Sequence, residues 1–161
     1  MWPGEPARRF RPRISAALAV ALAMALAGCG SSPTRITVSI VGAEDLNPDA
    51  DGQPKPLVVR MYELKSDAAF KAATFDDLTE GDIASLGAEL QAKEEFLLTP
   101  GQTLELEREL RPETRIVGFT GNYRLYDRGG LWRASIAVPE GERTDLIVGF
   151  KRVEITIEED D

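Results

Sequence analysis

The side chains on which most enzymes rely are nearly absent from this sequence. The chain contains no histidine and one cysteine, Cys29, among 161 residues, so Ser-His-Asp triads, Cys-His pairs and histidine-ligated metal sites are excluded. The remaining candidates are two carboxylate pairs, Asp76-Asp77 and Glu94-Glu95. Neighbouring residues point to opposite faces of a strand, or about 100° apart around a helix, so neither pair converges on one bond as glycoside hydrolysis requires. We therefore predict no catalytic residues, no bound metal, no cofactor and no enzymatic activity.

Cys29 ends an N-terminal segment that has the pattern of an export signal. Arginines at positions 8, 9, 11 and 13 precede an apolar run from Ile14 to Ala27, which Ser15 alone interrupts. This run is too short to span a bilayer, because a spanning helix needs roughly 20 apolar residues. We predict that residues 1–28 are a signal peptide.

The residues Leu26-Ala27-Gly28-Cys29 resemble the lipobox of bacterial lipoproteins. In that family the cysteine thiol receives a diacylglycerol, the leader is cleaved before the cysteine, and the new amine is acylated. One acyl chain holds a protein to a membrane only marginally, so several chains on Cys29 would form a stable anchor. Residues 29–34 would then be the lipidated cysteine and its tether. In bacterial lipoproteins an aspartate directly after the cysteine tends to hold the protein at the inner membrane, so this resemblance implies that Gly30 and Ser31 allow release to the outer membrane. The alternative is a secreted protein whose cysteine follows the cleavage site by chance.

The charge of the mature chain excludes some partners. Removal of residues 1–28 leaves 15 basic and 26 acidic residues, a net charge of −11. An acidic surface opposes binding to phosphates, so we predict no nucleic-acid partner. The remaining 133 residues are enough for one domain with its own core.

The alternation of apolar residues predicts an antiparallel β-sandwich of about eight strands over residues 35–161. Arg35–Val41 has the alternation of a half-buried strand. Leu57–Leu64 is rich in β-branched and aromatic residues and is mixed on both faces, as in a central strand. The apolar positions change from even to odd numbers near Lys151-Arg152, which requires a turn there. Further strands are predicted at Glu94–Leu98, Gln102–Leu110, Arg115–Leu125 and Leu131–Val138, with a hairpin turn at Asp127–Gly130.

Residues 66–90 have helical spacing and predict a small insertion between strands. Ser66 or Asp67, Thr74 and Asp82 are candidate helix caps. Gly118 and Gly121, within a predicted strand, indicate a bulge or a close backbone approach.

The segment from Ala43 to Pro56 has no periodicity, three prolines and a net charge of −3, which predicts a long exposed loop. Asn47, Asp49, Asp51 and Gly52 match the start of a calcium-binding loop. However, Val58 stands where that loop needs a bidentate glutamate. A surface loop and a partner-binding loop remain the two main alternatives.

The ordered motifs of the mature chain resemble the TssJ family, the lipoproteins of the bacterial type VI secretion system. They are Asn47-Pro48, Pro56–Leu64, Phe70, Phe75, Leu78, Pro100-Gly101, Thr114–Gly118, Tyr123-Arg124 and Trp132-Arg133. The resemblance implies a transthyretin-like two-sheet antiparallel β-sandwich with a helical addition. It also implies a place on the periplasmic face of the outer membrane, bound to the periplasmic C-terminal region of the inner-membrane protein TssM.

In the TssJ family the loop after the first strand contacts TssM, so the resemblance assigns partner binding to that loop. The residues are Ala43, Glu44, Asp45, Leu46, Asn47, Pro48, Asp49, Ala50, Asp51, Gly52 and Gln53. We expect Leu46, the one large aliphatic side chain there, to be the anchor, with the aspartates steering towards a basic partner surface. The alternative function is a lipoprotein that binds a small ligand or an unrelated envelope partner. Arg60-Tyr62 and Trp132-Arg133 are either a recognition patch or core packing with a cation–π contact.

Overall fold

The computed structural model describes residues 32–79 and 83–160. The strands in this part are β1 Arg35–Gly42, β2 Leu57–Leu64, β3 Leu90–Leu98, β4 Thr103–Glu109, β5 Ile116–Gly121, β6 Arg133–Ala137, β7 Arg143–Phe150 and β8 Ile155–Glu159. The helices are α1 Ala68–Ala72 and α2 Phe75–Thr79, with 3-10 helices at Ile83–Glu89 and Tyr126–Arg128.

The eight strands form two four-stranded sheets, in the orders β4-β1-β7-β8 and β3-β2-β5-β6. The two-sheet sandwich predicted from the alternation is confirmed. In β1 the even-numbered side chains Ile36, Val38 and Ile40 are fully buried between the sheets. Each such side chain contributes about 1.5–3 kcal/mol by leaving water. Strand β2 has a hydrogen-bonded neighbour on both sides and is central, as its sequence predicts.

One strand pair departs from the antiparallel prediction. Strands β1 and β7 run parallel, in a register from Arg35↔Arg143 to Gly42↔Phe150, whereas the other strand pairs of the described residues are antiparallel. Parallel neighbours need a crossover connection. Here the crossover consists of residues 43–142, which include all four strands of the second sheet and also β4 of the first sheet.

The helical insertion covers the outer face of the second sheet. Tyr62 and Leu64 of β2 pack there with Phe70, Leu78 and Leu86 in a second apolar cluster. The predicted close approach at Gly118 is confirmed, because a Cβ on that residue would lie 2.9 Å from Phe70 Cζ. A side chain at position 118 would therefore displace the ring that attaches the insertion to the sheet.

Only one of the predicted caps makes a capping hydrogen bond in the described residues. The Asp77 N–H donates to Thr74 Oγ1 at 3.2 Å, and the Thr74 N–H donates to Asp77 Oδ2 at 2.8 Å. This reciprocal pair is a capping box. Asp67 precedes α1 without a side-chain capping bond and instead forms an ion pair with Lys71. Asp82 lies outside the described residues.

Strand β5 ends at Gly121, and the prediction that it continues to Leu125 is wrong. The Tyr123 N–H donates to the Gly121 carbonyl at 2.8 Å, which turns the chain out of the sheet. Residues 122–132, here called the β5–β6 connection, link β5 to β6 and include the 3-10 helix at Tyr126–Arg128. Strand β6 therefore starts at Arg133 and not at Leu131. The predicted turn near Lys151-Arg152 is confirmed, since β7 ends at Phe150 and β8 starts at Ile155.

Candidate functional site

The segment between β1 and β2, residues 43–56, is only partly exposed. Leu46 is completely buried and belongs to the main core cluster, and Asn47 and Pro48 are buried beside it. The sequence-based expectation that Leu46 is an exposed anchor for a partner is therefore wrong. Its side chain already serves the sandwich, and it attaches the loop to the core.

Asn47 ties this loop to the rest of the domain. Its backbone has a positive φ of 46°, a region that asparagine tolerates better than most residues. Its Nδ2 donates to the Pro56 carbonyl at 2.8 Å, which joins the two ends of the loop. Its Oδ1 accepts from the Arg124 N–H at 2.9 Å, which links the loop to the β5–β6 connection. One side chain therefore closes the loop and attaches it to the β5–β6 connection.

The tip of the loop is closed by the Asp49 carboxylate. Asp49 Oδ1 accepts from the N–H groups of Asp51 at 3.0 Å and Gln53 at 2.9 Å, and Oδ2 pairs with Lys55 Nζ at 3.1 Å. The Gln53 N–H, followed by the Lys55 ammonium, holds the pKa of Asp49 below its usual range. This carboxylate is thus engaged within the loop, which makes an ordered turn.

The exposed side of the loop is acidic. Among the residues assigned to partner binding, the exposed ones are Glu44, Asp45, Ala50, Asp51, Gly52 and Gln53. Three of these six carry carboxylates, so the loop presents negative charge on a fixed backbone. Within the described residues no group of three or more acidic or sulfur side chains could hold a metal ion.

Other loops meet at the same end of the sandwich. The Ala43 N–H donates to the Phe150 carbonyl at 2.9 Å, and the Gly101 N–H donates to the Gly42 carbonyl at 3.0 Å. Tyr123 is buried, and its hydroxyl donates to the Glu154 carbonyl at 2.9 Å. Sequence reasoning missed this grouping because it depends on the pairing of distant strands.

Arg60 and Tyr62 are buried, and the half-buried Trp132 and Arg133 pack together in a cation–π contact, so the core-packing interpretation is correct. Tyr62 is fully buried and its hydroxyl donates to the Leu78 carbonyl at 2.9 Å. The Arg133 guanidinium lies 4.7 Å from the Trp132 ring centroid and donates to the Phe70 carbonyl at 3.0 Å. These contacts attach the insertion to the sheet.

The carboxylate pairs do not converge, as the sequence indicates. Glu94 makes a two-bond ion pair with Arg108, at 2.8 and 2.7 Å, which joins the two sheets. Glu95 pairs with Arg60 at 2.8 Å. Asp77 is engaged in the capping box of α2.

The predicted lipidation residue, Cys29, lies outside the described residues, as do the leader and the first tether residues. In the part of the chain that the structure covers, no helix has the length and apolar character to cross a membrane.

Comparisons with known proteins identify the family. Residues 34–159 match the model of the T6SS-SciN family, described as type VI secretion lipoproteins and including VasD, EvfM and TssJ. The sequence search of curated proteins found no match. The T6SS lipoprotein TssJ1 from Pseudomonas aeruginosa is similar in structure at a TM-score of 0.77 and 39% identity, over 80% of this chain and 98% of that chain.

Two further structures share the fold. Serratia marcescens Lip, a membrane-bound component of the type VI secretion system, matches at a TM-score of 0.71 and 26% identity, over 77% of this chain and 96% of that one. A chain in a structure of the T6SS protein TssM C-terminal domain from EAEC matches at a TM-score of 0.65 and 19% identity, over 77% of this chain and 97% of that one. Because the family model spans most of the sequence, the chain belongs to the TssJ family of type VI secretion lipoproteins, which are structural components and not enzymes.

Proposed function

We propose that this protein is anchored by lipid on Cys29 to the periplasmic face of the outer membrane. There it binds the periplasmic C-terminal region of TssM and so attaches the secretion apparatus across the envelope. The supporting comparisons are the family match and two structures of the same fold, described as a type VI membrane complex and as the TssM C-terminal domain. The observation that carries the proposal is the ordered, acidic loop of residues 43–56, held by Asn47 at the end of the sandwich.

The position of this loop suits a partner that approaches from the opposite membrane. In the sequence the tether of residues 29–34 leads directly into β1, so the chain would enter the domain at the start of β1. Strand β1 has eight residues and carries the chain roughly 26 Å further, at about 3.3 Å per residue. The loop then follows at the end of the domain that is remote from the start of β1.

The order of the loop favours binding as well. A partner does not have to fix a free chain, because Asn47 and Asp49 already hold the backbone. Preorganisation of this kind lowers the entropic cost of association. The exposed carboxylates of Glu44, Asp45 and Asp51 would steer a basic surface towards the loop and raise the association rate.

The anchor is tested with Cys29→Ser in the full-length chain. We expect the variant to fold but to incorporate no palmitate and to leave the outer-membrane fraction, because its hydroxyl cannot replace the thiol in lipidation. Fractionation after labelling with radioactive palmitate measures both properties. Label or outer-membrane retention in the variant would contradict the anchor.

The binding loop is tested by replacing residues 49–54 with a short Gly/Ser turn, while Leu46, Asn47 and Pro48 are kept for the core. We expect this protein to remain folded, and to lose co-purification with TssM from envelope extracts. A milder variant combines Glu44→Gln, Asp45→Asn and Asp51→Asn. Its matched control neutralises three exposed carboxylates of the β4-β1-β7-β8 sheet, with Glu105→Gln, Glu107→Gln and Glu158→Gln. Equal recovery of TssM with the loop variants and the control would place the interface elsewhere.

A further inference from the structure

Two exposed apolar side chains lie on the β5–β6 connection. In the described part of the chain the large hydrophobic residues with the most exposure are Leu131, Leu97, Tyr126 and Ile147, at 63%, 62%, 37% and 37%. Leu131 and Tyr126 both belong to the β5–β6 connection. Single exposed apolar residues need no explanation, but two on one loop next to a candidate interface do.

The β5–β6 connection is held in place by aromatic stacking. The Tyr126 ring stacks on Phe75 of α2 with centroids 3.7 Å apart and planes 2° from parallel. Phe75 in turn meets Trp132 edge to face, with centroids 5.1 Å apart. Tyr126 is therefore fixed on one side and open to solvent on the other.

The backbone at Leu131 is fixed too. Its carbonyl accepts from the Ile155 N–H at 2.8 Å, and Gly130 packs closely against the Val153 backbone. The side chain of Leu131 nevertheless projects into water. A rigid apolar group costs little entropy to immobilise when a partner binds.

The connection and the acidic loop meet at Arg124. Asn47 Oδ1 accepts from the Arg124 N–H at 2.9 Å, which places the start of the connection against the loop. The charges of the two segments differ. The loop of residues 43–56 carries a net charge of −3. The connection exposes two positive side chains, Arg124 and Arg128, and one negative side chain, Asp127.

We propose that the β5–β6 connection is the apolar and basic half of the partner-binding surface, whose acidic half is the loop of residues 43–56. Its occupant is a segment of the TssM periplasmic region that places an apolar side chain against Leu131 and Tyr126. That segment presents acidic groups to Arg124 and Arg128 and basic groups to the acidic loop. This inference rests on the proposed function. An apolar centre within a charged rim is the usual arrangement of a specific protein interface.

Isothermal titration with the TssM periplasmic region from the same bacterium tests this surface. The domain from residue 32 onward contains both core clusters, so it serves as the titrated protein. We expect Leu131→Ala to weaken binding about tenfold or more, as truncation of an interface anchor does. Leu131→Met, which keeps an apolar side chain, should stay within about threefold of the original protein. Ile147→Ala, on the outer face of the other sheet, is the control and should change binding less than twofold, roughly the effect of a residue outside the interface.

The outcomes separate the inference from the proposed function. Normal binding by Leu131→Ala, with loss of binding on replacement of residues 49–54, would refute the role of the connection and leave the proposed function standing. No binding by the original protein would refute both. A thermal melt checks that Leu131→Ala is folded. Hydrogen exchange on the original complex provides a second measurement, with slower exchange expected at residues 126–132, and unchanged exchange there would overturn the inference.

Discussion

Asn47 offers the sharpest test of how the candidate loop is held. Its amide makes two hydrogen bonds, to the Pro56 carbonyl and from the Arg124 N–H, and its residue is only 3% exposed. In Asn47→Ala both backbone groups lose their partner. Leaving a buried polar group unsatisfied costs about 1–3 kcal/mol, and these groups are partly buried, so about 1 kcal/mol for each is reasonable.

The backbone conformation adds a second cost. Alanine at a φ of 46° is strained by about 1 kcal/mol relative to asparagine, which tolerates this region better. We therefore expect Asn47→Ala to lower the free energy of unfolding by about 3 kcal/mol. At roughly 4 °C per kcal/mol for a domain of this size, the melting temperature should fall by about 12 °C.

Asn47→Gly separates the two causes. Glycine also loses both hydrogen bonds but adopts the positive φ without strain, so its loss should be smaller than that of alanine by about 1 kcal/mol. The control is Gln53→Ala, whose side chain is exposed and should change stability by less than about 0.5 kcal/mol. Urea denaturation of the three variants measures these differences. This account of the loop would be refuted if the stability of Asn47→Ala equalled that of the control within error. It would also be refuted if Asn47→Gly lost more stability than Asn47→Ala.

The remaining predictions concern the two sheets. The Arg108 side chain holds the pKa of Glu94 below its usual range, so the ion pair stabilises the fold above the unfolded pKa of about 4.3 and is lost as the pH falls through the lower folded value. Glu94→Gln should therefore be less stable than the original protein at pH 7, and its stability should change less as the pH falls. Urea midpoints measured across this pH range test this, and parallel profiles for the two proteins would contradict it. Gly118→Ala should cost about 1–3 kcal/mol because its Cβ meets the Phe70 ring. Phe70→Leu in the same protein should recover part of that strain, and additive losses in a double-mutant cycle would argue against the contact.

The sequence predicts the sandwich well where local alternation determines burial. Strand β1 shows one buried face, β2 shows two, and the change from even to odd apolar positions locates the turn before β8. The alternation of side chains between the two faces of a strand is a local property, so it can be recognised in a single sequence. The Thr74 cap is local too, because its partner Asp77 is three residues away.

The features that sequence did not predict depend on distant partners. Leu46 lies in a polar, proline-rich segment, and only the packing of the two sheets shows that it enters the core. Tyr123 follows β5 in sequence, yet a turn closed by its own N–H and the Gly121 carbonyl takes it out of the sheet. Its ring is buried, and its hydroxyl donates to the carbonyl of the distant Glu154. The parallel pairing of β1 with β7 joins residues about a hundred positions apart, so a local sequence pattern does not predict it. The same holds for the link between Asn47 and Arg124 that brings the candidate binding loops together.

The most direct test of the central claim is isothermal titration of the original domain with the TssM periplasmic region, at low and at raised salt. We expect saturable binding that weakens as salt screens the exposed carboxylates. Replacement of residues 49–54 should abolish that binding while leaving the fold intact. Absence of binding between two folded proteins, or undiminished binding after the replacement, would contradict the assignment of this loop to partner recognition.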